Sequence, residues 1–358
     1  MKEILFRVVG GLGKNIMALT VAKCIRAKYP DAKLHVQASY PDVFMNIDYI
    51  DKYFPLAPMP YFYDEHKDFE VMQGEPYLNL KYRSGECHLI EAWCEDLGLP
   101  TPKTFDGEII LNEEEIEFGK QFLVNMKINI PLVAIQISGG VPTTDPNKAK
   151  EPFKIQNYRN IGIEIAQEVV NESVKGGKCA FLQVSLPTEK RLQNVLAFPE
   201  DRVTPLREVF AILNVCNSVI AIDSFVQHAW KAMGKKDGVI LWGGTNPVNL
   251  GYSENSNLVN KSSCANLHCN RPNTHMFDFV GNGNYWKCPF GAKCMKFSKE
   301  RLIKAIAESV ESKEEMMPSG GPVPQQMAQM PPTNAPVDAE IVQPPPKKAK
   351  ADAGVVKK

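Results

Sequence analysis

Short apolar runs alternate with amphipathic segments along most of the chain. Residues 4–9 predict a buried strand, and the glycines at 10–13 predict a tight turn into a helix over about 14–28. Residues 34–38 predict a second strand. The chain therefore opens as a βαβ unit with a glycine-rich turn of the kind that binds phosphate.

The same alternation resumes in the second half of the chain. The predicted strands there cover residues 132–137, 179–184, 219–222 and 239–242. The predicted helices cover about 157–174, 188–196, 206–214, 225–233 and 298–312. Between the two halves, residues 41–85 show little periodicity and predict loops that line a cleft or pack irregularly. Helices are predicted for 88–97 and, after an Asn112 N-cap, for 112–124.

Alternating strands and helices occur in two successive parts of the chain, and this pattern predicts two α/β domains. We expect two Rossmann-like domains that face each other across a cleft, the first over residues 1–128 and the second over 129–312. The second includes a cysteine-rich loop at 260–296. Residues 313–358 are rich in Pro, Gln and Lys with almost no apolar pattern, so they predict a disordered tail.

Composition narrows the class of protein. The 358 residues carry equal numbers of acidic and basic side chains, which gives no overall field for nucleic acid or a membrane surface. No secretory signal pattern opens the chain, and no apolar run approaches the roughly 20 residues that span a bilayer. Nine cysteines without a signal favour reduced thiols or metal ligation. We expect a cytoplasmic protein without a membrane span.

The first glycine turn departs from two familiar phosphate-binding motifs. A dinucleotide fingerprint requires a third glycine where the chain has Ile16, and an acidic residue at the end of the second strand, where it has Ser39. A P-loop requires glycine at Val8 and Ser or Thr at Asn15. A nicotinamide cofactor and an NTPase are both disfavoured.

The stretch from residue 219 to 247 is the strongest candidate for a ligand site. Two predicted strands each end in a polar or glycine turn, and a helix follows the first turn at once. Such turns share the carboxyl edge of a parallel sheet, where α/β folds bind ligands, and helix amino-termini there suit phosphate. The candidate residues are Asp223, Ser224, Gln227, His228, Gly243, Gly244 and Thr245. A packed core histidine is the alternative for His228.

With these elements in place, the chain resembles the GT-B glycosyltransferases, and especially the ADP-heptose:lipopolysaccharide heptosyltransferases of glycosyltransferase family 9. The resemblance rests on the opening strand with its 10–13 turn, on the helix at 88–93 followed by 97–99, and on Pro205 to Glu208. It rests most on DSFVQHA at 223–229 and WGGTNP at 242–247.

The resemblance implies an inverting glycosyltransferase that uses no catalytic cofactor. It implies that the second domain binds a nucleoside-diphosphate sugar and the first binds a hydroxyl acceptor such as a glycan. Asp223 would fix the turn through which Ser224 and His228 meet the diphosphate. Lys150, or else Lys154, would supply a cation to the leaving diphosphate. We add further substrate-binding candidates: Gly11, Gly13, Asn15, Ser138 and Gly139.

One residue departs from the family pattern. The family has an aspartate, proposed as the base, at the position of Lys14, and a lysine cannot easily take that part unless its pKa is strongly lowered. Lys14 is still a catalytic candidate, because it lies beside a glycine turn that faces a phosphate-bearing cleft; a solvated residue in the first helical turn is the alternative. The base then comes from elsewhere, with Asp64, Glu65, His66 and Asp42 as candidates, or the acceptor differs. The alternative function is a catalytically silent protein of the same fold that binds sugar nucleotides or glycans.

Two further features leave alternatives open. Cys264, Cys269, Cys288 and Cys294 could close a structural zinc site, with His268 or His275 as substitute ligands, or remain free thiols. The basic run at 344–350 resembles a short segment that tethers a protein to nucleic acid, so a hydroxylated nucleic-acid base is a second, weaker hypothesis for the acceptor. The alternative, which we take as the default, is that this run is a solvated tail.

Overall fold

The computed structural model describes residues 2–140, 155–187, 189–199, 201–261, 264, 267–269, 288 and 290–314 of the chain. The side chains of residues 155–158 and 312–314 lie outside this description. No helix within the described ranges is both long enough and apolar enough to cross a membrane. Lys150, Lys154 and residues 315–358 of the predicted tail fall outside these ranges, whereas residues 313 and 314 belong to the last helix.

The first sheet consists, within the described residues, of four parallel strands: β1 (Glu3–Val8), β2 (Lys33–Ala38), β3 (Lys52–Pro55) and β4 (Glu70–Met72). Their order is β3-β2-β1-β4, so β1 is central and Ile4, Phe6 and Val8 are fully buried. The helices of this half are α1 (Leu12–Lys28), α2 (Phe62–Glu65), α3 (Leu80–Ser84), α4 (Leu89–Asp96) and α5 (Glu113–Asn125).

The second sheet has six parallel strands among the described residues: β5 (Leu132–Gln136), β8 (Ala180–Gln183), β9 (Leu196–Ala197), β10 (Ser218–Ile222), β11 (Val239–Trp242) and β12 (Ser256–Val259). Their order is β12-β11-β10-β5-β8-β9. An antiparallel pair, β6 (Ser138–Gly140) and β7 (Ile155–Asn160), follows β5. The helices are α6 (Ile163–Ser173), α7 (Leu206–Val215), α8 (Phe225–Ala232), α9 (Pro247–Leu250) and α10 (Lys299–Glu314).

The predicted alternation of strands and helices is confirmed for most elements. The Asn112 N-cap is present, and its side chain and Glu115 form a reciprocal capping box at the start of α5. The 41–85 region is more regular than predicted, because the short strands β3 and β4 complete the first sheet there. Strands of three or four residues with exposed positions carry too little periodicity to be recognised.

The predicted helix over residues 188–196 is wrong. Gln183 is fully buried, and its amide donates to the Lys190 carbonyl at 3.0 Å and accepts from the Leu192 N–H at 2.8 Å. A buried amide must be paired, so it takes backbone groups that a helix would need. Leu196–Ala197 then pairs with the end of β8 as an edge strand.

Helices α5 and α7 join the two halves of the chain. They approach closely because Gly119 has no side chain: a Cβ there would overlap the Ala211 carbonyl. Arg207 of α7, 9% exposed, donates through Nε and Nη2 to both carboxylate oxygens of Glu115 at 2.6 Å each. It also donates to the backbone carbonyls of Asp42 and Ile110. A bidentate pair of this kind fixes both position and orientation.

Replacing Arg207 with alanine should strongly destabilise the protein. The change leaves the Glu115 carboxylate, whose side chain is 15% exposed, without its cationic partner, and such a loss typically costs about 3 kcal/mol or more. Arg202→Ala is the matched control, since Arg202 is 54% exposed and lies 3.5 Å from Glu208, and such pairs contribute less than about 1 kcal/mol. The urea unfolding midpoints of both variants measure their stability. Equal losses of stability would contradict a stabilising pair of Arg207 and Glu115.

A pair of buried histidines lies within the first half. Nδ1 of His66 lies 2.7 Å from the Phe62 carbonyl, so it carries the proton, and His66 Nε2 then accepts from Nδ1 of His35 at 2.8 Å. The rings of Phe54, Phe62 and Phe69 surround the pair. Nε2 of His35 has no partner among the described residues. Burial, followed by repulsion from His66, lowers the pKa of His35 to about 4.

This histidine pair should make stability depend on pH. Between pH 6.5 and about 4 the unfolded chain binds a proton at His35 that the folded protein does not, so the free energy of unfolding falls as pH falls through this window. Urea unfolding from pH 7 to about 4.5 should show this slope. His35→Phe should make it shallower, and an unchanged slope in that variant would rule out His35 as its source.

Candidate functional site

The two turns of the 219–247 stretch lie side by side, as predicted. Ile222 at the end of β10 is in register with Leu241 of β11, so the Asp223 and Gly243 turns leave the sheet at the same edge. The end of β5 joins them, because the Gln136 amide donates to the Ser224 hydroxyl at 3.2 Å. Three adjacent strands therefore contribute to one polar edge.

Asp223 and Arg159 fix the backbone at this edge through hydrogen bonds. Asp223 is 4% exposed, and its Oδ1 accepts from the Gln227 amide at 2.8 Å. The Arg159 guanidinium donates through Nε, at 2.8 Å, and through Nη2 to the Asp223 backbone carbonyl. Gly139 makes room for it, since a Cβ there would lie 3.3 Å from Arg159 Nε. A cation thus lies at the Asp223 turn.

The amino-terminus of α8 follows this turn. Ser224 is its N-cap residue and has extended backbone, but its side chain makes no capping hydrogen bond. The first N–H groups of α8 are therefore not satisfied by that hydroxyl, and they carry the partial positive charge of a helix amino-terminus. Together with Arg159 they form an edge suited to an anion.

The buried Asn15 side chain fixes the glycine turn of the first half. The Asn15 amide donates to the carbonyls of Gly10 and Gly11 at 3.1 and 3.0 Å and accepts from the Tyr40 N–H at 3.2 Å. Asn15 is fully buried, so its side chain shapes the turn. Gly10 has a φ of +125°, a conformation that requires glycine. Gly11 has open space beside it.

The glycine turn and the α8 edge meet at Gly13 and His228. A Cβ on Gly13 would lie 2.8 Å from His228 Cδ2 and 3.7 Å from the Phe225 Cα, so the amino-termini of α1 and α8 are in direct contact. His228 is 3% exposed, and its Nδ1 is hydrogen bonded to the Tyr252 hydroxyl at 2.8 Å. Burial, and then the Arg159 charge, lower the pKa of His228 to about 3. The imidazole is therefore neutral near pH 7.

Lys14 is a buried cation. It is 4% exposed, and its Nζ lies 2.9 Å from Glu75 Oε2 and within 5.1 and 5.4 Å of the Trp93 and Tyr77 ring centroids. A carboxylate and two aromatic faces replace the water that a surface lysine would have. Lys14 is thus built into the site and is not a solvated helix residue.

Charges from both halves influence the Tyr77 hydroxyl. Burial raises the pKa of Tyr77, the carboxylates of Asp223 and Glu75 raise it further, and the Arg159 guanidinium lowers it. Asp223 and Arg159 belong to the second half, whereas Glu75 and Tyr77 belong to the first. We call the following group the facing-edge cluster: Lys14, Glu75, Tyr77, Arg159, Asp223 and His228.

The sequence did not single out Glu75, Tyr77 or Arg159. Glu75 and Tyr77 follow β4, which was not predicted as a strand, and Arg159 lies within a stretch that was predicted as helix. A polar residue just after a parallel strand is the signal that would have identified Glu75. It becomes visible only once β4 is assigned.

The remaining edge residues are covered by neighbouring segments. The Ser138 hydroxyl is hydrogen bonded to the Glu189 carboxylate, whose pKa is raised by burial. A Cβ on Gly243 would overlap Met295, the Cys269 thiol lies 4.0 Å from the Gly244 carbonyl, and the Thr245 carbonyl lies 2.7 Å from His268 Nδ1. The cysteine-rich segment thus covers one side of the Gly243 turn.

The structure does not bring the other predicted catalytic residues into the facing-edge cluster. His66 is bonded to His35, which pairs with Lys52, the first residue of β3, and so lies away from the carboxyl edge. Asp64 and Glu65 are exposed on α2. No contact within the described part of the chain links these three residues to the facing-edge cluster.

The late cysteines lie near one another. Burial, followed by the thiols of Cys288, Cys264 and Cys269, raises the pKa of Cys294 to about 11. Among the described residues, however, no three His, Cys, Asp or Glu side chains form a group that could hold a metal ion. His275 is outside the described ranges. The structural zinc site stays a prediction, and no reaction step is assigned to a metal.

Replacing Gly13 with alanine should push the two helix ends apart. The His228 ring, fixed by Tyr252, would have to move, and overpacking of this kind costs about 1–3 kcal/mol. Gly11→Ala is the matched control, because no atom lies within 4 Å of a Cβ there and its φ is −67°. Denaturant unfolding compares the two, and equal stability would contradict a tight Gly13 contact.

No protein-family model and no curated protein sequence matches the chain. Solved structures do. A glycosyl transferase family 9 structure from Veillonella parvula DSM 2008 superimposes with a TM-score of 0.60 at 15% identity, covering 87% of this chain and 97% of that one. The ADP-heptose lps heptosyltransferase II of E. coli superimposes with a TM-score of 0.56 at 12% identity, covering 88% and 100%.

A third similar structure is TibC from enterotoxigenic E. coli H10407, a dodecameric iron-containing glycosyltransferase. Its TM-score is 0.62 at 12% identity, with 88% of this chain and 81% of that one covered. TibC in complex with ADP-D-beta-D-heptose gives 0.61 at 11% identity, with 87% and 77% covered. Identities this low establish the fold alone. The chain has the two-sheet GT-B fold of the family 9 glycosyltransferases, as its sequence predicted.

Proposed function

We propose that this protein is an inverting glycosyltransferase that moves a sugar from a nucleoside-diphosphate sugar to a hydroxyl acceptor. The observation that carries the proposal is the facing-edge cluster: Lys14, paired with Glu75, follows Gly13, which contacts His228 of α8, and Arg159 lies at the Asp223 turn that begins α8. The fold supports glycosyl transfer, and the complex of TibC with ADP-heptose supports a donor of this chemical class.

The donor diphosphate binds at the Asp223 turn in this proposal. Breaking the bond between the sugar and the diphosphate places negative charge on the leaving oxygen. The Arg159 guanidinium and the first N–H groups of α8 stabilise that charge, because they are fixed at this edge before the reaction begins. Lys150 and Lys154 stay candidates for a further cation.

Neutral His228 acts as a hydrogen-bonding group in this arrangement. Because its pKa is low, His228 carries no positive charge near pH 7. It joins the α8 turn to the glycine turn, so it contacts both halves where donor and acceptor meet. Positive charge for the diphosphate then comes from Arg159, and the proposed reaction needs no cofactor.

The acceptor hydroxyl binds in front of the first glycine turn. This surface offers the half-exposed Glu75 carboxylate and open space beside Gly11. A glycan is the first acceptor class, and a hydroxylated nucleic-acid base is the second. Attack occurs on the face of the sugar opposite the departing diphosphate, which inverts the anomeric carbon.

Nucleoside diphosphates should raise the melting temperature of the protein. With ADP, GDP and UDP as probes, Arg159→Met should weaken the best binder by about tenfold to a hundredfold, since hydrogen bonds to charged groups contribute about 1.5–3 kcal/mol. Lys178→Met is the control, because Lys178 is exposed just before β8 at the opposite edge of the same sheet.

Two outcomes would count against the proposal. If none of the three diphosphates changes the melting temperature, the donor site is wrong. If a diphosphate binds but none of a panel of ADP-, GDP- and UDP-sugars is turned over with water or hydroxyl acceptors, the protein is a binding protein of the same fold. Release of free nucleoside diphosphate measures the turnover.

A further inference from the structure

We infer that Glu75 is the general base that removes the proton from the acceptor hydroxyl, an inference that rests on the proposed function. Glu75 follows β4, which pairs in parallel with the central strand β1, so it emerges beside the 10–13 glycine turn. Gly74 lies against Trp93, because a Cβ there would be 3.2 Å from the indole Cδ1 and Nε1. This contact fixes the backbone from which Glu75 projects.

Lys14 holds the Glu75 carboxylate in one orientation. Its buried Nζ donates to Oε2 at 2.9 Å, while the Glu75 side chain remains 48% exposed. Within the described ranges, Oε1 has no hydrogen-bond partner. One oxygen is therefore anchored, and the other is open to accept a proton from a bound hydroxyl.

The position of Glu75 relative to the donor edge suits an inverting transfer. Lys14 directly follows Gly13, which contacts His228 and Phe225 at the start of α8. Glu75 and Asp223 both act on the Tyr77 hydroxyl, from opposite halves of the chain. Direct contacts through Lys14 and Gly13 therefore connect the Glu75 carboxylate to the start of α8, where the diphosphate is proposed to bind. In an inverting transfer the base and the leaving group lie on opposite faces of the sugar.

The other candidate bases are placed less well. His66 is buried and bonded to His35 and the Phe62 carbonyl. Asp223 is buried, and its carboxylate is held by the Gln227 amide. Asp64 lies exposed on α2, outside the facing-edge cluster. Among the described carboxylates at this edge, Glu75 combines exposure with a fixed direction.

The chemical step balances without any further reagent. The acceptor O–H bond breaks and its proton moves to Glu75 Oε1. The electron pair left on the acceptor oxygen forms the bond to the anomeric carbon. The bond from that carbon to the diphosphate oxygen breaks, and its electron pair leaves with the nucleoside diphosphate. Glu75 then returns the proton to water. Lys14 is a positioning residue in this step, since it acts through Glu75.

Replacement of Glu75 tests this role. Glu75→Gln retains an oxygen for Lys14 but cannot accept the proton, so nucleoside diphosphate release from the best donor should fall by about a hundredfold or more. The shift in melting temperature with nucleoside diphosphate should persist. Glu70→Ala is the matched control, since Glu70 is an exposed carboxylate at the other end of β4, 2.8 Å from Lys2.

Rescue of activity by azide distinguishes a catalytic base from a residue with a structural role. Azide carries no proton, so adding sodium azide to Glu75→Ala should restore diphosphate release and give a glycosyl azide of inverted configuration. If Glu75→Gln is as active as the wild type, or if azide fails to restore Glu75→Ala, Glu75 is not the base. If the wild type itself releases no diphosphate from any donor, the proposed function fails, and the inference fails with it.

Discussion

The approach of Gly13 to the His228 ring is the constraint on which the site depends. Because Gly13 has no side chain, the amino-termini of α1 and α8 come into contact, although each carries partial positive charge. Two such ends repel unless negative charge lies near them. Glu75 and Asp223 supply it in the free protein, and a diphosphate would add to it.

Burial determines which groups of the site carry charge. Lys14 and Arg159 keep a carboxylate or a carbonyl within hydrogen-bonding distance, so a full charge can exist with little water. Burial, and then the Arg159 charge, disfavour the charged form of His228, whose Nδ1 is hydrogen bonded to the uncharged Tyr252 hydroxyl. Lys14 and Arg159 thus each have an oxygen acceptor beside them at this edge, whereas the buried His228 ring is neutral near pH 7.

Elements with long apolar runs could be predicted from sequence, and the site only in part. The strand and helix around Asp223 stand out because five consecutive buried residues precede the turn. β4 has three residues with Glu70 and Val71 exposed, so neither it nor Glu75 was identified. The sequence predicts Asn15 as a substrate-binding residue, but it cannot show that the amide is hydrogen bonded to the backbone of Gly10, Gly11 and Tyr40. Contacts between the two halves of the chain leave no local pattern in the sequence, so they could not be predicted from it.

The pairing of Lys14 with Glu75 shows why position alone can mislead. The resembling family has an acidic residue where this chain has Lys14, and a comparison residue by residue suggests that the carboxylate is lost. In the folded chain a carboxylate lies 2.9 Å from the lysine amine, supplied by the segment that follows the neighbouring strand β4. The chemistry of a site depends on where a charge lies in space and not on which segment of the chain carries it. A substitution that appears to abolish the base therefore leaves a carboxylate at the same edge of the first sheet.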